Sequence, residues 1–232
     1  MEAALDLGVP IPTIAAAVDA RALSANRERR VAAEAAFGSR GARTLAGVTP
    51  DDVRAALYAA KIASYSQGFD LLACASDERG YGTDRSEVAR IWKAGCIIRA
   101  GFLDRVREAF AMGGAEHDGA GADLATQGGA GVATGAPAVL ALAAGFRTEL
   151  AECMPSWRKV VATAVREGIP VPGLAASLAW FDTLSTSRGS ANLIQAQRDY
   201  FGSHTYERVD APGEFVHTDW AALARRSGSG RA

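Results

Sequence analysis

The sequence predicts a mainly α-helical fold, and three observations lead to this prediction. Apolar residues recur at spacings of three and four over most of the chain, which is the pattern of helices with one buried face. No segment alternates between apolar and polar residues for long enough to form a sheet. Proline, glycine and capping residues divide the pattern into segments. The predicted helices cover residues 2–7, 13–37, 50–75, 84–112, 138–167, 172–184 and 191–200, and the chain is expected to be irregular beyond Tyr206.

The two N-terminal helices are separated by a segment that contains glycine and proline. Residues 2–7 stop at Gly8, ahead of two prolines, and the next helix is predicted to run without a break to Phe37. Glycines mark a loop over residues 38–47.

The helix over residues 50–75 has a well-signalled start. Thr49 is a favourable N-cap, Pro50 suits the first helical position, and Asp51 and Asp52 place negative charge at the positive end of the helix dipole. Residues 57–75 are apolar or small on almost every side, so this helix is expected at the centre of the fold.

One long helix is predicted from Asp84 to Met112. Asp84 and Glu87 have the spacing of a capping box, and Gly113 ends the helix. Residues 113–137 contain glycine, alanine and threonine with almost no large apolar residues, so we expect a flexible surface loop. The residues expected to be buried in the helix are Trp92, Ile98, Phe102, Val106 and Phe110.

A short motif occurs twice in the chain. Gly8-Val-Pro-Ile-Pro-Thr-Ile14 recurs as Gly168-Ile-Pro-Val-Pro-Gly-Leu174, each time after one predicted helix and before another. The recurrence indicates either chance or two similar helical halves packed into one domain.

Charge and cysteine content exclude several classes of function. The formal net charge is −1, from 25 cationic and 26 anionic side chains, so we expect no nucleic acid or anionic membrane partner. The three cysteines and three histidines lack the spacing of a zinc site or a disulfide framework. The sequence has no signal-peptide pattern and no apolar run near the ~18 residues of a membrane span, which predicts a soluble cytoplasmic protein.

Two cations stand alone in apolar helical segments. Lys61 is the only cation within residues 57–75, and Arg99 is the only charged residue in AGCIIRAGFL. Burying an unpaired charge is costly, so each is expected to meet a carboxylate from another helix or an anionic ligand. A structural salt bridge is the plainer interpretation of both.

Polar and ionisable residues are concentrated in residues 195–206, with aromatic residues between them. If a helix ends near Gly202, Arg198 and His204 come toward one side, and an imidazole beside a guanidinium can hold a phosphate or a carboxylate. The alternative is an ordinary surface helix.

The common signatures of self-contained catalysis are absent from the sequence. Gly129-Ala-Gly131 is followed by Thr134 where a dinucleotide fingerprint needs its third glycine, and no predicted strand precedes it. There is also no P-loop, no GxSxG motif and no His-Glu zinc motif. The sequence therefore lacks the features of a complete enzyme.

Three segments carry a specific resemblance to a known family. They read ALYAAKIASYSQGF (56–69), IWKAGCIIRAGFL (91–103) and LIQAQRDYFGSHTYER (193–208), and in them the chain resembles the C-terminal helical domain of decarboxylating 6-phosphogluconate dehydrogenases. The two repeated segments and GEFVHTDW (213–220) extend the likeness over most of the chain outside residues 113–137.

The resemblance implies a role for each candidate residue. Lys61 and Arg99 match residues that hold the phosphate end of the substrate, and Arg198 and His204 match residues that reach into the neighbouring subunit's site in a homodimer. The family's last residues run as a tail across the partner subunit, and 217–220 belongs to that stretch. Residues 1–205 are then a substrate-binding and dimerisation domain, and 206–232 a C-terminal tail.

The resemblance also implies an activity. The family oxidises 6-phosphogluconate with NADP in the pentose phosphate pathway, releasing carbon dioxide and ribulose 5-phosphate. Its Rossmann domain, its general-base lysine and its general-acid glutamate precede the matched region, so we expect no turnover by this chain alone. A separate nucleotide-binding polypeptide would supply them. The alternatives are a non-catalytic sugar-phosphate-binding or dimerisation module, and a remnant or mis-started product with little function.

Overall fold

The computed structural model describes residues 1–39, 41, 43–98, 100–112 and 139–228. The described part is mainly α-helical, as predicted, with one small antiparallel hairpin. It divides into two compact units, residues 1–181 and 182–232. Its elements are α1 Glu2–Asp6, α2 Pro12–Ala25, α3 Arg27–Phe37, α4 Pro50–Arg79, α5 Arg85–Trp92, α6 Phe102–Met112, a 3-10 turn at Leu140–Leu142, α7 Ala144–Arg166, α8 Pro172–Leu184, α9 Ala191–Gly202, β1 Tyr206–Arg208, β2 Ala211–Val216 and α10 Trp220–Gly228.

Helix α4 is the central element of the first unit, as its sequence predicts. The Thr49 hydroxyl accepts from the Asp52 amide while the Asp52 carboxylate accepts from the Thr49 amide, a complete capping box. Gly80 ends the helix in the left-handed conformation with φ of 64°. The core around α4 also includes residues of α5, α6, α7 and α8, and its largest fully buried side chains are Trp157, Phe69, Ile62, Leu103, Leu140 and Leu150.

The single helix predicted over 13–37 is two helices, α2 and α3, separated by Asn26. The prediction of an unbroken helix is therefore wrong. Asn26 has φ of −87° and ψ of 82°, and its side chain accepts from the Arg29 amide. Asparagine competes for backbone hydrogen bonds in this way, which ends one helix and caps the next.

The helix predicted over 84–112 is also divided, into α5 and α6. The Asp84 carboxylate accepts from the amides of Ser86 and Glu87, which confirms the predicted start. The chain leaves the helix after Trp92, and Gly95 adopts a φ of 74°. Ile98, expected to be buried, is exposed because it lies in this connection, whereas Phe102, Val106 and Phe110 are buried as predicted. Trp92 is partly buried.

Helix α7 begins later than the sequence predicts. Val139 and Ala143 have extended backbone on either side of the 3-10 turn, so α7 starts only at Ala144. The predicted flexible loop over 113–137 lies outside the described residues. The described helices include none that is long and apolar enough to cross a membrane.

The two repeated segments share the same backbone geometry. Gly8 and Gly168 have φ of 66° and 62°, and the amide that follows each glycine donates over 2.8 Å to a carbonyl five residues back. The first segment also contacts α8, the helix that follows the second segment: the Thr13 and Ser177 hydroxyls lie 3.0 Å apart. The Thr13 amide donates to the buried Gln67 side chain of α4. This shared geometry favours a true repeat over chance.

The second unit is more regular than expected after Tyr206. Strands β1 and β2 pair in an antiparallel register, with Tyr206 opposite Val216. A turn at residues 209–210 joins them, and α10 follows. Hairpins are local structures that need few residues, so a short one escapes a search for long alternating patterns.

Candidate functional site

One candidate site, in the first unit, surrounds Lys61 on the face of α4 directed at α6. Its side chain is half-buried, and Nζ lies 4.8 Å from the centre of the Phe102 ring, in cation–π contact. Tyr58 and Tyr65 lie one turn away on either side of Lys61, and both rings also contact Phe102. Within the described part of the chain, no carboxylate forms an ion pair with Lys61.

The nearby carboxylate, Glu149 of α7, is already committed to other partners. Arg105 of α6 forms an ion pair with it, and the Tyr58 hydroxyl donates to its Oε2 over 2.6 Å. Burial and this hydrogen bond raise the pKa of Tyr58 to about 12, so the phenol stays protonated at neutral pH. The carboxylate partner considered for Lys61 is thus absent from the described residues, and its ammonium lies over the Phe102 ring.

Arg99, the second candidate in this region, lies outside the described residues, so its assignment stays a prediction. The residue before it is described: the Ile98 carbonyl accepts from the Tyr65 hydroxyl over 3.0 Å. This bond connects the segment between α5 and α6 to the Lys61 face of α4.

A second candidate site is the end of α9, in the second unit. Arg198 and His204 are both exposed there, in the helix and in the loop that follows it. Gln195 connects Arg198 to Thr205, the residue after His204, because its Oε1 accepts from Arg198 over 3.2 Å and its Nε2 donates to the Thr205 carbonyl over 2.6 Å. The prediction that a helix ends near Gly202 is confirmed.

The loop that carries His204 has an unusual backbone. Ser203 and Thr205, on either side of it, have φ of 52° and 61°, in the left-handed region that residues with a Cβ rarely adopt. The His204 ring folds back on Gly202, so closely that a Cβ on Gly202 would lie 2.8 Å from Nε2.

Asp199 holds this loop and the following segment together, although nothing in its local sequence distinguishes it from the other polar residues of 195–206. Its side chain is fully buried and accepts four hydrogen bonds of 2.8–3.0 Å. Burial alone would raise the pKa of this carboxyl, but the four hydrogen bonds outweigh it and hold the pKa well below 3.8. The donors are the Thr205 amide, His217 Nδ1, the Thr218 amide and Trp220 Nε1.

Each unit offers side chains suited to an anionic oxygen ligand such as a phosphate. In the first unit this is the half-buried Lys61 ammonium, and in the second it is the exposed Arg198 guanidinium and His204 imidazole. The described strands form only a hairpin, and none leads through a glycine-rich turn into a helix, which is the unit that binds a dinucleotide. The cations of each unit therefore fit a phosphate, and the described strands do not form the dinucleotide-binding unit.

Comparisons with known proteins give a consistent result. The family model described as 6-phosphogluconate dehydrogenase, C-terminal domain, matches residues 1–220. The 6-phosphogluconate dehydrogenase, decarboxylating 2, of Arabidopsis thaliana is 43% identical over 234 aligned positions, covering 98% of this chain and 44% of that protein. The enzyme of Treponema pallidum is 44% identical, covering 94% and 42%.

A solved structure is similar as well. It is that of Plasmodium falciparum 6-phosphogluconate dehydrogenase, described in its apo form, with its cofactor NADP+ and with its substrate 6-phosphogluconate. The TM-score is 0.77 at 37% identity, covering 95% of this chain and 43% of that one. The chain therefore spans less than half the length of these relatives.

Proposed function

The chain belongs to the 6-phosphogluconate dehydrogenase family, and from this we propose that it supplies the substrate-phosphate contacts and the dimer interface of a decarboxylating dehydrogenase. The proposed reaction converts 6-phosphogluconate and NADP to ribulose 5-phosphate, carbon dioxide and NADPH. Residues 1–205 form the substrate-binding and dimerisation domain in this proposal, and 206–232 form the tail. A cytoplasmic location is part of the same proposal.

The observation that carries the proposal is the setting of Lys61. A half-buried ammonium over an aromatic ring, with no carboxylate partner in the described part of the chain, is electrostatically incomplete. A substrate phosphate supplies the missing negative charge. The neighbouring Arg105 cannot take this role as readily, because Glu149 already neutralises it.

A homodimer is proposed to complete the site, with Arg198 and His204 of one protomer reaching the Lys61 region of its partner. Exposed apolar side chains support an interface on α9: Leu193, Ile194 and Phe201 are 65%, 57% and 82% exposed. Neither α2 nor α3, both fully described, buries a side chain, so they offer further surface for a second copy.

The nucleotide and the acid–base groups are proposed to come from outside these 232 residues, on the same or another polypeptide. NADP would accept the hydride there, and the family's lysine and glutamate would move the protons. The purified 232-residue chain is therefore expected to form no NADPH from 6-phosphogluconate and NADP. Turnover by this chain, free of contaminating enzyme, would contradict the assignment of the missing groups.

The direct test is calorimetric titration with 6-phosphogluconate, with gluconate as the control that lacks the phosphate. The oligomeric state is measured in the same buffer. Lys61→Met and Arg198→Ala remove the proposed contacts, and Lys93→Met is the matched control, because Lys93 forms a surface pair with Asp104. A lost charged hydrogen bond of about 1.5–3 kcal/mol corresponds to roughly a 10- to 150-fold weaker affinity.

We expect phosphate-dependent binding by a dimer, weakened in Lys61→Met and Arg198→Ala and unchanged in Lys93→Met. No binding by a folded dimer would contradict the sugar-phosphate proposal for this chain. Binding without any NADPH production, after addition of a nucleotide-binding domain from a relative, would favour the non-catalytic module instead.

A further inference from the structure

We propose that Asp199 is a positioning residue, which couples docking of the segment 217–220 to the conformation of the loop that carries His204. The coupling itself stands on the geometry of the second unit. Its effect on substrate affinity rests on the function proposed above, in which His204 contacts the substrate.

The loop needs an anchor because its backbone conformation is unfavourable. Ser203 and Thr205 both carry a Cβ and both adopt positive φ, and such residues persist only where surrounding contacts fix them. Two hydrogen bonds from outside the loop act on the Thr205 backbone. Its amide donates to Asp199 Oδ1 over 2.9 Å, and its carbonyl accepts from Gln195 over 2.6 Å.

The same carboxylate fixes the segment beyond the hairpin. Oδ1 also accepts a hydrogen bond from His217 Nδ1 over 2.9 Å. Oδ2 accepts hydrogen bonds from the Thr218 amide over 3.0 Å and from Trp220 Nε1 over 2.8 Å. An ionised carboxylate only accepts, so Nδ1 of His217 carries the proton. The Trp220 ring also meets the Tyr200 ring edge to face, with 5.9 Å between the ring centres.

The two sets of bonds depend on one another through a single buried group. The carboxylate is enclosed only when the loop and the segment 217–220 are both in place, and every one of its four donors comes from these two elements. If the segment leaves, Oδ2 loses both of its partners and the carboxylate is free to turn toward water. Thr205 then loses its fixed acceptor, and the strained loop relaxes.

Two substitutions test the coupling, and one serves as a control. Asp199→Asn keeps the size of the side chain but presents an NH₂ group to two of the four donors. Trp220→Phe keeps the carboxylate and removes one donor, 16 residues away from His204 in sequence. Asp210→Asn removes a carboxylate of the same unit that pairs with Arg208 at the surface and touches neither element.

The readouts are the NMR signals of the Thr205 amide and the Trp220 indole in the labelled full chain, their hydrogen-exchange rates, and the affinity for 6-phosphogluconate. Circular dichroism checks the helix content. In Asp199→Asn the Thr205 amide and Trp220 indole signals should shift together, and both hydrogens should exchange with solvent at least about tenfold faster. The affinity for 6-phosphogluconate should fall about tenfold. In Trp220→Phe the Thr205 amide should exchange faster although that residue is untouched. Asp210→Asn should match the wild type.

Several outcomes would overturn the inference. One is a Thr205 amide that is unchanged in Trp220→Phe, and this variant decides the matter if Asp199→Asn unfolds the second unit. Another is faster exchange of the Thr205 amide in Asp199→Asn with no change in the affinity for 6-phosphogluconate, provided that the wild type binds it. If the wild type does not bind, the proposed function fails, while the Thr205 and Trp220 signals still decide whether Asp199 couples the two elements.

Discussion

Gly202→Ala should displace His204 without weakening the fold. A Cβ on residue 202 would lie 2.8 Å from Nε2 and 2.9 Å from Cδ2 of the His204 ring. Normal contacts between such atoms are about 3.5–4.0 Å, so the ring must move by at least roughly 0.7 Å. The ring is the free end of a side chain, and it can move at little cost to the backbone.

The effect on stability should have the opposite sign to the effect on binding. Gly202 is the last residue of α9 and its φ is not positive, so alanine fits the backbone. Alanine stabilises a helix more than glycine does, by up to about 1 kcal/mol in the helix interior and by less at a helix end. We therefore expect the free energy of unfolding to rise by about 0 to 0.5 kcal/mol. If the proposed function holds, the affinity for 6-phosphogluconate should nevertheless fall by about tenfold, since the proposed contact of His204 with the substrate is misplaced.

The assay combines the imidazole NMR signals of His204, chemical denaturation and phosphate-dependent binding. Gly68→Ala is the matched control: Gly68 lies inside α4, and no described atom beyond its chain neighbours and the adjoining helix backbone lies within 4 Å of the added Cβ. It should gain stability and leave the His204 signals unchanged. The reasoning is refuted if Gly202→Ala leaves both the His204 signals and the affinity as in the wild type, or if it unfolds the second unit.

Three further predictions concern the first unit. Trp157→Ala should lower the free energy of unfolding by about 3–5 kcal/mol in denaturant titrations, because the side chain is fully buried; a loss under 1 kcal/mol would contradict the core assignment. Hydrogen bonds from Lys159, Thr49 and Ser156 hold the pKa of Asp52 well below 3.8, so this carboxylate stabilises the fold above about pH 4 and loses its effect on further acidification. Asp52→Asn should therefore lower Tm at neutral pH, and its Tm should fall less steeply than that of the wild type below pH 4. Plots of Tm against pH that run parallel for the two proteins would refute this. The raised pKa of Tyr58 predicts that stability falls from about pH 10 to pH 12, as the unfolded chain loses a proton that the folded chain keeps. Tyr58→Phe should make the free energy of unfolding fall less steeply over this pH range in denaturation curves, and an unchanged slope would contradict the assignment.

The predictable parts of the fold are those governed by neighbouring residues. The Thr49 cap, the Pro50 start and the end of α9 at Gly202 each depend on side chains within one turn of the backbone they satisfy. The breaks at Asn26 and after Trp92 were missed because the apolar spacing continues across them. Asn26 ends a helix by a hydrogen bond to its own neighbourhood, and residues of this type are tolerated inside helices elsewhere.

The candidate site shows the same division. Lys61 is predictable as a lone cation in an apolar helix, and Arg198 and His204 as members of a dense polar cluster. All three also lie in the continuous motifs that carry the family resemblance. Tyr58 and Asp199 lie in those motifs, and nothing in the local pattern marks them, because Tyr58 meets a carboxylate 91 residues away and Asp199 meets donors up to 21 residues away.

By itself, the sequence determined the helical class, the family and which cations are candidates for a phosphate. Those properties follow from the spacing of apolar residues and from short motifs, which are written along the chain. Only the tertiary structure decided that Lys61 faces the Phe102 ring while Glu149 is held by Arg105, and that one buried carboxylate joins the His204 loop to the segment 217–220. Charge compensation and burial depend on distances in space, and these are fixed only when helices distant in sequence pack together.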